Sequence, residues 1–384
     1  MKLSDFDYHL PEELIAQTPV EPRDHSRLLH LDKETWNIQE WKFYNILDKL
    51  WENDVLVINK TKVINARLHW YIQSEESSLS TKGSTEERGD GLLKKPVEIF
   101  LHKQIDDITW DCLVYPGKKL KPWKKINFYL PRESSLRIKG STEERGDGFR
   151  NSLGPVIMTA LIKETSNSGR IVEFSKWGLE FMEIIEKLWE IPLPPYIKEK
   201  LENSDRYQTV FNEISGSVAA PTAGLHFTPE LIEKLKEKWV QFEKVLLHVW
   251  LWTFKNVEVD DVTTHKMHSE YIEIAPDVAE RLNRYKSEWK RIISVGTTSI
   301  RVLESFTDET GLISSWSMDT QIFIYPGYKW RFVDAMFTNF HLPKSTLLML
   351  ISSFAWKEHI DEAYKYAVDN EFRFFSFWDA MFID

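Results

Sequence analysis

The spacing of apolar and polar residues changes character twice along the 384-residue chain. From Lys176 onward, apolar residues recurring every three or four positions alternate with short continuous apolar runs, the signature of helices interleaved with strands. This spacing predicts helices over 178–188, 229–238, 276–288, 298–305, 345–355 and 359–369, with strands over 243–249, 291–295 and 321–324. The first 68 residues carry a Pro-Glu-Glu helix start near Pro11, a strand from Ser26 to Leu31, a short helix ending at Leu50 and a buried strand from Val55 to Ile58. NKTKVINARL, 59–68, reads as a polar loop. Between His69 and Ser175 short alternating strands at 97–101, 110–114, 126–130, 156–161 and 170–174, with turn residues between them, predict a small β-barrel. The expected fold is α/β: a discontinuous main domain, 1–68 plus 176–384, interrupted by an inserted β-barrel domain, 69–175.

One segment of the insert occurs twice, as ESSLSTKGSTEERGDG at 76–91 and ESSLRIKGSTEERGDG at 133–148. Neither copy has an apolar face to stack, so a solenoid is rejected. Two charged, mobile hairpin tips are expected, dispensable for activity.

Composition narrows the setting. A single cysteine, Cys112, leaves no disulfide framework and no cysteine-based zinc site, and no apolar run reaches the ~20 residues of a membrane span. The start MKLSDFDYHL is acidic where a signal peptide is basic, so a cytoplasmic location is expected. A net charge of −10 argues against a broadly basic nucleic-acid coat. It leaves room for a local patch at Lys118, Lys119, Lys121, Lys124 and Lys125.

Glycine and tryptophan are out of proportion, 15 against 16. Trp51, Trp189, Trp239, Trp289 and Trp356 each follow a predicted helix, where a left-handed backbone favours glycine. Trp36 and Trp123 occupy turns that favour the same residue. The reading is that many of these tryptophans are UGA codons, glycine in the source organism, written here as tryptophan; the alternative is a genuinely Trp-rich protein with unusual caps. The 15 and 16 together make 31 residues, close to an ordinary glycine share of roughly 7%.

Candidate chemistry concentrates between Ser217 and Tyr271, which holds His226, His248, His265 and His268. Thr228-Pro229-Glu230 starts a helix, so the loop APTAGLHF delivers His226 beside backbone N–H groups suited to an anion. RIISVGTTSIR, 291–301, is a strand, a glycine turn and a helix start, with Thr297, Thr298 and Arg301 facing a carboxylate or phosphate. TNFHLPKST places Asn339, His341 and Lys344 at the mouth of an apolar helix, and RFFSFWD closes the same cleft. His268 and Glu270 suit proton transfer better than metal binding. No GxxxxGK[ST] or GxGxxG occurs, which argues against nucleotide triphosphate hydrolysis and dinucleotide binding.

SVAAPTAGLHFTPE, LLHVWLWTF, HKMHSEY, VGTTSIRVLES, YPGY, TNFHLPKSTLLML and RFFSFWDAM, in this order, resemble the motifs of the S-adenosylmethionine:tRNA ribosyltransferase-isomerases of queuosine biosynthesis. The likeness runs from MKLSDFDYHLPEELIAQTP to the last residues, outside the two repeat tips. It implies transfer and isomerisation of the ribosyl part of S-adenosylmethionine onto 7-aminomethyl-7-deazaguanine at the tRNA wobble position, giving epoxyqueuosine and releasing adenine and methionine. It also implies no metal and a tRNA partner; no membrane association and a monomer are expected besides. The chemistry begins with a proton removed from the sulfonium-activated C5′ carbon, and expelling adenine calls for a proton donor. His226, His268 and Glu270 are expected to be catalytic. Thr222, Gly224, Thr253, Thr297, Arg301, Asn339, His341, Lys344 and Asp379 would bind substrate, and Lys118, Lys119 and Lys121 would meet tRNA. The pattern departs at Trp250 and Trp252, where the family writes LHVGLGTF, at Trp378, where it writes YGDAM, and at Lys60, Lys62 and Asn65. Trp70 joins the tryptophans in question. Two other readings compete: a tRNA-binding homologue impaired in catalysis, and a metal-dependent hydrolase built on the histidines.

Overall fold

The computed structural model describes all residues except 65–66, 71–96, 116, 119, 132–152, 167–168, 189–196, 198, 200–202, 250–256, 258, 376 and 378. The chain opens with β1 (Arg27–Leu31), β2 (Ile38–Lys42), β3 (Asp54–Asn59) and β4 (Thr61–Val63). Next come β5 (Arg67–Trp70), β6 (Val97–Gln104), β7 (Thr109–Tyr115), β8 (Lys125–Pro131), β9 (Leu153–Thr165), β10 (Arg170–Phe174) and helix α1 (Gly178–Leu188). Alternation then resumes with β11 (Ile214–Ser217), α2 (Pro229–Glu237), β12 (Gln241–Leu247), β13 (Glu270–Ile274), α3 (Pro276–Ser287) and β14 (Arg291–Val295). The chain finishes with α4 (Thr297–Phe306), β15 (Trp316–Thr320), β16 (Ala335–Asn339), α5 (Thr346–Ala355), α6 (Lys357–Asp369) and β17 (Ala380–Ile383).

Two compact units result, Met1–Ile64 with Leu193–Asp384, and Asn65–Pro192. The first is a nine-stranded mixed sheet ordered β15-β13-β12-β3-β14-β16-β17-β1-β2. Within it β3, between β12 and β14, is buried at all six positions, as a strand covered on both faces must be. Leu56 and Ile58 point to one face, where Ile293, Val295, Phe337 and Phe382 meet Phe227, Leu231 and Leu235. The second unit holds six antiparallel strands in the order β5-β6-β7-β10-β9-β8. Helix α1 belongs to it, its Phe181 packing on Trp110 and Phe174, although its periodicity had grouped it with the main domain.

Four sequence expectations change. The helix expected to start near Pro11 is a 3-10 turn, Glu12–Leu14. The predicted strand 321–324 has no regular structure; the sheet instead ends in β15, a mostly exposed edge strand with no apolar run to announce it. The helix expected to end at Leu50 is a 3-10 turn, Phe43–Asp48. The polar loop 59–68 contains β4, paired in parallel with β11, and enters β5. The two repeat tips lie outside the described residues.

The tryptophan turns have left-handed backbones: φ is 67° at Trp36, 68° at Trp123, 63° at Trp239, 59° at Trp289 and 62° at Trp356. At the end of α2, Trp239 N–H donates to the Lys236 carbonyl (2.9 Å) and Val240 N–H to the Leu235 carbonyl (3.1 Å). The same pair of bonds closes α3 through Trp289 and Lys290. This is the Schellman cap, whose left-handed position belongs to glycine. Trp51 does not share the left-handed backbone, because the preceding turn has already ended at Lys49. Trp189, Trp250, Trp252 and Trp378 lie outside the described residues, as does the side chain of Trp70.

Candidate active site

Strands β12, β3, β14 and β16 run parallel, so their carboxyl ends bring Leu247, Asn59, Val295 and Asn339 to one edge of the sheet. β17 runs against β16 with Ala380 opposite Asn339, and β1 pairs with β17 through Leu28 and Ala380. Asp379 and Ser26 therefore join the same edge from the other chain direction. Open α/β sheets bind ligands at such an edge.

At that edge Gly296 turns the chain from β14 into α4 with φ 85°, and a Cβ there would lie 3.4 Å from the Ala223 methyl. The turn Thr222–His226 thus rests on the turn that opens α4, where Thr297 is buried. Thr228 caps α2 by accepting from Leu231 N–H at 3.1 Å, with Pro229 in the first turn, as its sequence requires.

His226 is the best-defined group here. It is 4% exposed, stacked 5.0 Å from Phe43, and burial followed by the charges of Arg373 and Arg23 lowers its pKa to about 3. Its Nδ1 lies 2.8 Å from Ser26 Oγ and its Nε2 3.4 Å from the Asn339 amide nitrogen. That nitrogen also faces the Phe375 carbonyl at 3.4 Å. A carbonyl only accepts, so Asn339 donates to both, Nε2 accepts, and the ring proton sits on Nδ1 and is donated to Ser26. Asn339, His226 and Ser26 form one directed chain at neutral pH.

His341 is fixed differently. Its Nε2 lies 2.8 Å from Thr338 Oγ1, its backbone N–H donates to the Tyr364 hydroxyl (2.7 Å), and its carbonyl accepts from Tyr8 (2.5 Å). Burial lowers its pKa to about 3. His248 pairs with Thr61 at 2.9 Å, and its ring fills the space a Cβ on Gly216 would need, 2.6 Å away. Burial pushes its pKa down, against the opposing charge of Glu273.

Arg301 and Glu270 form a buried ion pair between α4 and the start of β13. Burial lowers the Arg301 pKa to about 10. Asp379 accepts from the backbone N–H groups of Arg27 and Arg373, both at 2.8 Å, and so joins two chain segments. Lys344, left-handed with φ 59°, is ion-paired with Asp7 at 2.8 Å on the surface. Gly224 packs on Thr209, Thr222 is half-buried, and His268 lies in the segment leading into β13. Lys118 and Lys121 are exposed in the second unit, while Lys119 and Thr253 lie outside the described residues.

Of the residues the sequence singles out, the structure brings together His226 with Asn339, and Glu270 with Arg301; the sequence reading had made neither pairing. It misses Ser26, Arg23, Arg206 and Thr61. Ser26 is 200 positions from the histidine it serves and stands in the charged run EPRDHSR, with no pattern to mark it. Among the described residues no three His, Cys, Asp or Glu side chains gather as metal ligands, and no helix is long and apolar enough to cross a membrane.

A mixed sheet whose carboxyl edge collects buried imidazoles, a buried ion pair and a glycine-turned helix start defines an α/β enzyme. The chain belongs to the queuosine biosynthesis protein family, whose model matches residues 3–383. It is 45% identical, over 383 residues and the full length of both chains, to the S-adenosylmethionine:tRNA ribosyltransferase-isomerase of Carboxydothermus hydrogenoformans. It is also similar to the crystal structure of the S-adenosylmethionine tRNA ribosyltransferase of Thermotoga maritima. That match has a TM-score of 0.51 and 34% identity, covering 99% of this chain and all of the other.

Proposed function

We propose that the protein transfers and isomerises the ribosyl moiety of S-adenosylmethionine onto 7-aminomethyl-7-deazaguanine at the wobble position of tRNA, giving epoxyqueuosine, adenine and methionine. The full-length likeness to a relative named for this activity carries the reading. Its support from geometry is that residues of four separate motifs, His226, Asn339, Gly296 and Asp379, come to one sheet edge.

In this reading S-adenosylmethionine is the co-substrate and no metal takes part. His226 works as a neutral hydrogen-bonding group, since burial and two arginines keep it from holding a proton near pH 7. His268 and Glu270 supply the acid/base step, with Arg301 fixing the Glu270 carboxylate. Thr222, Gly224, Thr253, Thr297, His341 and Lys344 complete the binding surface. The catalytic domain is the unit Met1–Ile64 with Leu193–Asp384. The intervening domain closes as a small barrel and offers Lys118, Lys119 and Lys121 to tRNA phosphates. The enzyme acts as a cytoplasmic monomer.

The test is adenine release from S-adenosylmethionine with tRNA carrying the aminomethyl base. Release that needs this tRNA and survives a chelator is expected. Tight tRNA binding without adenine release would select the impaired homologue instead.

A further inference from the structure

Beside His226 is a pocket lined by Pro19, Val20, Arg23, Ser26, Arg206, Leu225, His226 and Phe377. Two guanidiniums, an imidazole and a hydroxyl are its polar groups, and no carboxylate lines it. Both arginines are held in place: Arg23 donates to the carbonyls of Gln208 (2.7 Å) and Asp205 (3.0 Å), and Arg206 to that of Val20 (2.9 Å). Glu21, itself exposed, pairs with Arg206 at 2.6 Å from outside the lining. Each guanidinium has five N–H donors, so donors remain on both. The two cations also repel each other, which lowers the Arg23 pKa after burial itself, while Glu21 and Asp205 pull the other way. Ser26 accepts the His226 proton, and its own O–H is left to donate into the pocket. The cavity is small, about 20 Å³, and partly open to solvent, so it takes one end of a larger ligand.

We propose that Arg23, Arg206 and the Ser26 hydroxyl form an oxyanion-binding subsite, with Asn339 and His226 as positioning residues that aim the hydroxyl. An oxyanion answers every feature: it accepts from all three donors, and its charge relieves the repulsion between the arginines. Two parts of the substrates offer that chemistry, the methionyl carboxylate and an RNA phosphodiester. This choice of sources rests on the proposed function; the subsite itself rests on the pocket.

The experiment compares the wild type with Arg206→Gln, Arg206→Lys and Ser26→Ala. Adenine release is measured while S-adenosylmethionine and tRNA are varied in turn. Calorimetric titration with L-methionine and with inorganic phosphate is run on the same proteins without turnover. Arg206→Gln is expected to raise KM for one substrate about tenfold, and to weaken the matching small anion as much. Its kcat should change less than about threefold, Arg206→Lys should recover part of the loss, and Ser26→Ala should move the same arm more weakly. A rise confined to S-adenosylmethionine names the carboxylate, and one confined to tRNA names the phosphate. Unchanged binding and KM in all variants overturns the subsite, and so does an equal loss for both substrates with a lowered melting temperature. A wild type that releases no adenine but binds either anion through Arg206 defeats the assigned reaction and leaves the subsite standing.

Discussion

Two sets of tryptophans in this molecule obey different rules. Trp41 stacks on His30 at 4.2 Å, Trp110 is 7% exposed in the second unit, and Trp330 donates to the Ser353 carbonyl at 3.0 Å beside Phe354. None of these has a positive φ, nor do the exposed Trp177 and Trp316. Trp36, Trp123, Trp239, Trp289 and Trp356 all do, with side chains at least half in solvent. Exposure therefore does not separate the sets; the backbone does. Where an indole packs it earns its place by burial, and where the chain must turn left-handed it is a steric burden that glycine lacks. The Trp36 ring also crowds His359, with centroids 3.4 Å apart against the 4.5 Å or more that aromatic pairs prefer.

Experiments that break or sharpen this contrast can be ranked on one energy scale. Changing all five left-handed tryptophans to glycine is expected to stabilise the protein by about 3–5 kcal/mol. This sums the relief of ~1–2 kcal/mol of strain at each site less the entropy glycine adds to the unfolded chain. Denaturant midpoints read the gain, and an unchanged or lower midpoint would sink the glycine reading. Trp110→Gly should go the opposite way, losing about 3 kcal/mol or more by opening a core cavity; a neutral result would erase the distinction between the sets. Trp250→Gly with Trp252→Gly should raise the rate of adenine release roughly 100-fold, about 2.7 kcal/mol of barrier, by letting a ligand approach the backbone. Equal rates with and without the pair would contradict that.

Next in size is pH. His226 and His341 are neutral when folded, with pKa values lowered to about 3, and would titrate near 6.5 when unfolded. Their contribution is complete above about 6.5 and is lost as pH falls toward 3, at roughly 1.4 kcal/mol per pH unit for each histidine. Urea unfolding at pH 7 and pH 5 measures the slope, which His341→Gln should reduce. Neither tryptophan set titrates, so W110G and W239G should leave the slope alone. The smallest effect is the single change Trp239→Gly, about 0.5–1 kcal/mol in favour of folding, visible as a higher melting temperature. Mass spectrometry of the protein from its own cells adds a direct check, since tryptophan at 239 and 289 there rules out glycine.

What the sequence announces and what it hides follow the same physical divide. The helices α2, α3 and α6 are legible because one buried face repeats at a fixed interval, and β14 because it is a short run buried on both faces. β13 and β17 are not predicted: Glu270 and Glu273 break up the apolar run of β13, and β17, four residues long, is too short to establish a period. β15 is missed because an exposed edge strand has no buried face to record. At the candidate site, His226, Asn339, Arg301 and Glu270 are proposed through motifs, each a local string. Arg23, Ser26 and Arg206 are supplied by segments whose role exists only once the sheet has formed. Left-handed turns are the converse case, where one residue of the wrong shape shows in the sequence before any coordinate does.

β17 lies between β16 and β1, and the β1–β2 pair reaches the rest of the sheet through it. It follows every other strand in the chain, so during synthesis the opening hairpin has no neighbour to dock against until residues 380–383 leave the ribosome. Ser26 and Arg27 enter that hairpin and Asp379 precedes the late strand, so this edge of the sheet is assembled only after β17 has been made.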